Sequence, residues 1–254
     1  MFDSGVGGLS VLKAFRQLAP NERVVYFADT AFFPYGPRPA AEVRKRSFAI
    51  AQRLVRSGVK LIVVACNTAS AAALPDLREA FPVPFVGMVP GVKPAAQGSR
   101  SGHVAILATP GTFDGGLFGR VVEEFGRGTR IATVPGAGLA ELVESGGAGT
   151  DAARGAIRAL LAPEVEAGAD TVVLGCTHYA FLADDIRAAF PGLTIIDTSD
   201  AVARRAVQLL GEQDLRAPAH LSGELDLIVS GDRERFKEAM RGLGFAPAPV
   251  EAWS

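Results

Sequence analysis

The chain has 254 residues, 48% hydrophobic and 21% charged, which is globular composition and excludes a largely disordered chain. Its formal net charge of −1 excludes a global basic field for nucleic acid or acidic membrane, and no apolar run approaches the ~18 residues of a membrane span. Two cysteines, Cys66 and Cys176, without a CxxC spacing exclude a disulfide scaffold and a Cys-rich zinc site.

The opening Met1-Phe2-Asp3-Ser4-Gly5 has neither a basic nor an apolar leader, which predicts a cytoplasmic protein with reduced thiols. Only two residues precede Asp3, too few for a predicted strand. Asp3-Ser4-Gly5-Val6-Gly7-Gly8 is a Gly-rich turn expected to bring backbone N–H groups close to an anionic ligand. It opens a helix over 9–18, which carries Leu12, Phe15 and Leu18 on one side and stops before Pro20. A strand over 23–28 leads to Asp29-Thr30 and Pro34-Tyr35-Gly36. A helix over 40–57 follows, with Val43, Ile50, Leu54 and Val55 as its apolar positions. The strand over 61–65 is wholly apolar, as a parallel strand buried on both faces should be, and ends at Cys66-Asn67-Thr68.

A strand over 84–88 precedes a Gly/Pro/Ser-containing stretch, 91–102, read as a connection between domains. The strand over 103–108 ends at Thr109-Pro110-Gly111-Thr112, and another strand is expected over 130–134. Gly146-Gly147-Ala148-Gly149 reads as a mobile loop. A helix over 153–167 then leads to a strand over 171–174, which ends at Gly175-Cys176-Thr177-His178. Strands over 193–196 and 226–230 complete the pattern. This β-then-α order predicts an α/β architecture with mostly parallel sheets.

One internal echo organises the chain. Leu61 to Thr68 resembles Thr171 to His178: each is an apolar strand ending in Cys, followed by a capping-type residue and a helix, 110 positions apart. The echo suggests two similar halves with matching sites at their strand ends, where open α/β sheets bind ligands. Each cysteine is expected at a helix start, where the dipole lowers a thiol pKa, with Asn67, Thr68 and Thr177 as capping side chains facing the crevice. An intracellular cysteine is most often a small buried apolar residue. Two such cysteines in matching contexts favour chemistry instead. One thiolate removes a proton from a carbon acid, and the other thiol delivers a proton to the opposite face. His178, two residues after Cys176, is placed to share a proton there.

Other chemistries find little support. Ser10 stands where a dinucleotide fingerprint needs its third Gly, and no P-loop is present. The three histidines are scattered, which argues against a metal site. No lysine sits in a motif that singles it out as a Schiff base, and Tyr35 and Trp253 are isolated, so no aromatic platform for nucleic acid is visible.

Phe2-Asp3-Ser4-Gly5-Val6-Gly7-Gly8-Leu9-Ser10-Val11, Ala28-Asp29-Thr30 with Pro34-Tyr35-Gly36, Ala65-Cys66-Asn67-Thr68-Ala69 and Gly175-Cys176-Thr177-His178-Tyr179 together resemble the glutamate racemases of the aspartate/glutamate racemase family. Ser230-Gly231-Asp232 with Phe236 resembles the family's end. The resemblance implies two similar α/β domains, residues 1–92 with 204–254 and residues 93–203, with the active site in the cleft between them. It implies cofactor-independent interconversion of L- and D-glutamate for peptidoglycan synthesis, with no metal, nucleic-acid or membrane partner, and a homodimer.

By the family pattern Cys66 deprotonates D-glutamate and Cys176 deprotonates L-glutamate. Asp3, His178 and Glu144 assist the proton movements. Asp3, Ser4, Tyr35, Gly36, Asn67, Thr68, Thr177 and His178 hold the substrate, with Thr109 and Thr112 as additions. Two departures stand out. Members usually carry several residues of a first strand before the Phe-Asp-Ser motif, and Ala180 stands where Pro is usual. The competing readings are an aspartate-type two-cysteine racemase, a regulatory binding protein and a thiol redox protein. His178 favours glutamate, because the aspartate relatives usually carry an acidic residue there.

Overall fold

The computed structural model describes residues 1–114 and 116–253. Among the described residues ten strands form two sheets, parallel throughout. They are β1 (Phe2–Asp3), β2 (Val24–Ala28), β3 (Ile62–Val64), β4 (Phe85–Gly87), β5 (His103–Ala108), β6 (Arg130–Pro135), β7 (Thr171–Gly175), β8 (Thr194–Ile196), β9 (Leu225–Val229) and β10 (Val250–Ala252). The first sheet runs β10-β9-β2-β1-β3-β4 and the second β6-β5-β7-β8. The expected α/β class with parallel sheets is what the chain forms.

Side chains alternate across each strand, so both faces of each sheet feed a core. Ile62 and Val64 face a cluster with helices Ala40–Arg56 and Asn67–Ala80, whereas Val63 faces the opposite side. In the second sheet Val104, Ile106 and Ala108 face helices Val92–Gly98 and Gly116–Phe125, and Ala105 and Leu107 face away. The largest cluster runs without a break from helix Leu9–Leu18 to helix Asp151–Glu166 and joins the two halves.

Four expectations change. Two residues do suffice for a strand at the start of the chain. Phe2 pairs with Phe27 on one side and Val64 on the other, and Asp29 and Ala65 donate backbone hydrogen bonds to Asp3 and Phe2. A central strand stabilised from both sides needs no length of its own. Second, the connection over 91–102 contains helix Val92–Gly98. Pro94 lies in its first turn, where the missing N–H has no intrahelical partner to lose. Third, helix Asp151–Glu166 begins two residues before the expected start, because the Thr150 hydroxyl caps it through the Ala153 amide. Fourth, the loop at Gly146 to Gly149 is tied down. Gly149 donates to the Asp185 carboxylate at 2.8 Å, and Thr150 donates to the Gly147 carbonyl at 2.6 Å. Strand β10 had no counterpart in the sequence reading.

Candidate active site

Parallel sheets turn the carboxyl ends of their strands to the same side, and every sequence-predicted site residue except Glu144 lies at or shortly after such an end. Asp3 ends β1 and Ser4 follows it, Tyr35 and Gly36 come after β2, and Cys66, Asn67 and Thr68 follow β3. Thr109 and Thr112 come after β5, and Cys176, Thr177 and His178 follow β7. A narrow cavity of about 100 Å³ opens among them, with Cys66 and Cys176 both in its wall. Two larger hollows lie elsewhere, of about 690 and 760 Å³, and neither has a cysteine in its wall.

Ser4, Tyr35, Gly36, Asn67, Thr68, Thr109, Thr177 and His178 also line the cavity. Asp3, Glu144 and Thr112 stand one layer behind it. Thr112 reaches the wall only through the Thr109 hydroxyl, at 3.0 Å, and Thr109 in turn meets the Thr68 hydroxyl at 2.8 Å. That hydroxyl chain links the two sheets. Sequence reading missed the segment after β6, where Gly136 to Gly138 and Glu141 close one side. Its position after a strand end was the available signal.

The two thiols have different surroundings. Cys66 is buried close to the Asp3 carboxyl. Burial, then the neighbouring Asp3 charge, push the Cys66 thiol well above its ordinary pKa. The expected lowering by the helix start is overridden: Cys66 is the N-cap of helix Asn67–Ala80, but desolvation outweighs the backbone donation from Ala69. Asp3 is itself raised by burial, although Gly8 N–H donates to its Oδ2 at 2.7 Å and Thr177 Oγ1 at 3.3 Å.

Cys176 is partly exposed and lies 3.8 Å from His178 Nδ1. His178 Nε2 meets Glu144 Oε1 at 2.8 Å, and Val6 N–H donates to the same oxygen at 2.7 Å. Burial of His178 opposes its charged form. The hydrogen bonds and charges of Cys176 and Glu144 outweigh burial and hold its pKa well above the ordinary value.

The Gly-rich turn thus differs from expectation. Its Val6 and Gly8 amides cradle two of the protein's own carboxylates, Glu144 and Asp3, rather than a ligand. Glycine is required because a Cβ on Gly5 would strike Glu144 and one on Gly7 would strike His178. Asn67, Thr68 and Thr177 do not cap helices, since the cysteines occupy the cap positions without side-chain cap bonds. Their polar groups are left for the cavity and its walls. Among the described residues no cluster of three His, Cys, Asp or Glu side chains is placed to hold a metal ion, and no helix is long and apolar enough to cross a membrane.

The Asp/Glu/Hydantoin racemase family model matches residues 8–206. The chain is 45% identical over 254 residues to a glutamate racemase of Roseiflexus sp. (strain RS-1), covering 99% of this chain and 93% of that protein. It superposes on the crystal structure of glutamate racemase from Thermus thermophilus in complex with β-chloro-D-alanine with a TM-score of 0.88 at 38% identity, covering 100% of this chain and 95% of that one. It is similar too to the Escherichia coli glutamate racemase in complex with L-glutamate and the activator UDP-MurNAc-Ala, with a TM-score of 0.86 at 35% identity over 99% of this chain and 96% of that one. Fold and likeness together define an isomerase, an amino-acid racemase. The chain belongs to the Asp/Glu/hydantoin racemase family.

Proposed function

We propose that this chain interconverts L- and D-glutamate by two-base proton transfer, with Cys66 and Cys176 acting on opposite faces of the α-carbon and no cofactor. The observation that carries the reading is that both thiols line one cavity, from strand ends of different sheets, each backed by its own partners: Asp3 behind Cys66, and His178 with Glu144 behind Cys176.

The surroundings of the two thiols support a division of labour. Burial and Asp3 keep Cys66 as a thiol, a proton donor. His178, which holds its proton, lies 3.8 Å from Cys176, and that contact suits Cys176 to act as the base. In this state Cys176 takes the α-proton of L-glutamate and Cys66 gives its proton to the other face. That leaves a Cys176 thiol, a Cys66 thiolate and D-glutamate. The reverse reaction runs from that state: the Cys66 thiolate takes the α-proton of D-glutamate and the Cys176 thiol gives its proton to the other face, with Asp3 beside Cys66 and His178 beside Cys176. Ser4, Asn67, Thr68, Thr109 and Thr177 supply neutral donors and acceptors for the two carboxylates and the ammonium group, leaving both faces of the α-carbon open.

The glutamate preference is supported by the glutamate racemases at 45% and 38% identity. A role in supplying D-glutamate for peptidoglycan, a cytoplasmic location and a homodimeric state without nucleic-acid or membrane partners belong to the same reading. The two sheets support two domains, residues 1–92 with 204–254 and residues 93–203. Helix Ser199–Glu212 packs on helix Leu9–Leu18, which favours a second crossing just ahead of Ser199.

The test follows optical rotation or circular dichroism of D-glutamate, L-glutamate and L-aspartate with the wild type, Cys66→Ser and Cys176→Ser. The reading expects wild-type racemisation of glutamate and a loss of at least about 10³-fold in each variant, since each removes an acid–base group from the reacting atoms. Racemisation of aspartate alone, or an active serine variant, sinks it.

A further inference from the structure

Arg46 lies on helix Ala40–Arg56, away from every motif read in the sequence. Its guanidinium grips Asp29 with two donors: Nε reaches Oδ2 and Nη2 reaches Oδ1, each at 2.7 Å. Asp29 is wholly buried, and a buried carboxylate needs a hydrogen-bonded counter-charge to remain ionised. Its Oδ2 also accepts the Tyr35 hydroxyl. Tyr35 stands in the wall of the substrate cavity, and burial and then the Asp29 charge hold its phenol protonated.

The guanidinium is itself clamped. It lies 4.3 Å from the Phe32 ring centroid and 4.1 Å from that of Trp253. Trp253, just beyond β10, packs edge-on against Phe27 at 4.5 Å. A continuous set of contacts therefore runs from the last strand to the cavity: Trp253, Arg46, Asp29, Tyr35. Gly36, next in the wall, accepts a hydrogen bond from the Gly111 amide, which follows β5 of the other sheet. A displaced Tyr35 would thus shift the Gly36 amide and the contact that spans the cavity.

We propose that Arg46 is a positioning residue for substrate binding: through Asp29 it fixes Tyr35 and, with it, the Tyr35-Gly36 wall that receives glutamate. The inference rests on the glutamate reading above. It predicts that Arg46 matters through its fork and its flat face, which Lys lacks, and not through its charge alone.

A double-mutant cycle tests it, with racemisation of D-glutamate read in the wild type, Arg46→Lys, Tyr35→Phe and the double variant. Arg46→Lys is expected to raise KM about tenfold while kcat changes by less than about threefold, the signature of lost binding rather than lost chemistry. The double variant is expected to be no worse than the weaker-binding single variant, because both cut the same connection. Multiplying effects, or Arg46→Lys kinetics equal to wild type, overturn the proposal. If Arg46→Lys does not fold, Trp253→Leu takes its place in the cycle and is expected to raise KM only when Tyr35 keeps its hydroxyl. A wild type inactive on glutamate overturns the glutamate reading together with this inference; an active wild type with multiplying effects overturns this inference alone.

Discussion

The two thiols differ because their neighbours differ. His178 and Cys66 both bind their protons more tightly in the fold than in the unfolded chain. The His178 contribution to stability is therefore complete below its ordinary pKa of 6.5 and is lost as pH rises through the raised folded value. Cys66 adds to the alkaline loss, since above its ordinary 9.0 the unfolded chain ionises while the buried thiol resists. Glu144→Gln removes one of the interactions that raise His178. It should move the alkaline limb of the kcat/KM profile to lower pH and cut kcat/KM by about 10- to 100-fold. The enantiomers are equal in free energy, so kcat/KM must fall equally in both directions, and only kcat and KM taken singly can split. An unmoved pH profile would remove Glu144 from the proton machinery. At this scale the sequence was legible where short motifs carried it. Cys66, Cys176 and His178 stand out by residue type and position. Arg46 does not, because a charge on an amphipathic helix looks the same whether it faces water or a buried carboxylate.

At the scale of the element, β1 is the telling case. Periodicity needs several residues to register, and a two-residue strand has none. What makes it a strand is tertiary: pairing on both sides and complete burial of Phe2. Helix Val92–Gly98 was hidden for another reason: its Pro and Gly punctuate a sequence, but at the ends of a helix they are compatible with it.

For the molecule as a whole, β-then-α alternation made the class readable, and the echo around Cys66 and Cys176 pointed to two sheets with matching strand ends. What no local pattern supplied was the layer behind the cavity. The Gly-rich turn, read as a ligand cradle, instead holds Asp3 and Glu144 in place behind the two thiols. That substitution matters for the chemistry: after burial, Asp3 adds to the raised proton affinity of Cys66, and Glu144 joins Cys176 in raising that of His178.

In the proposed mechanism two opposed thiols, not one shared base, move the proton. The direct measurement is early-time NMR of glutamate racemisation in D₂O, beginning separately from each enantiomer. Two bases predict that deuterium appears at the α-carbon of the newly formed enantiomer while the unreacted substrate keeps its proton, in both directions, and that Cys66→Ser and Cys176→Ser each abolish the turnover. Deuterium entering the remaining substrate as fast as the product, or racemisation surviving in either variant, would contradict the account.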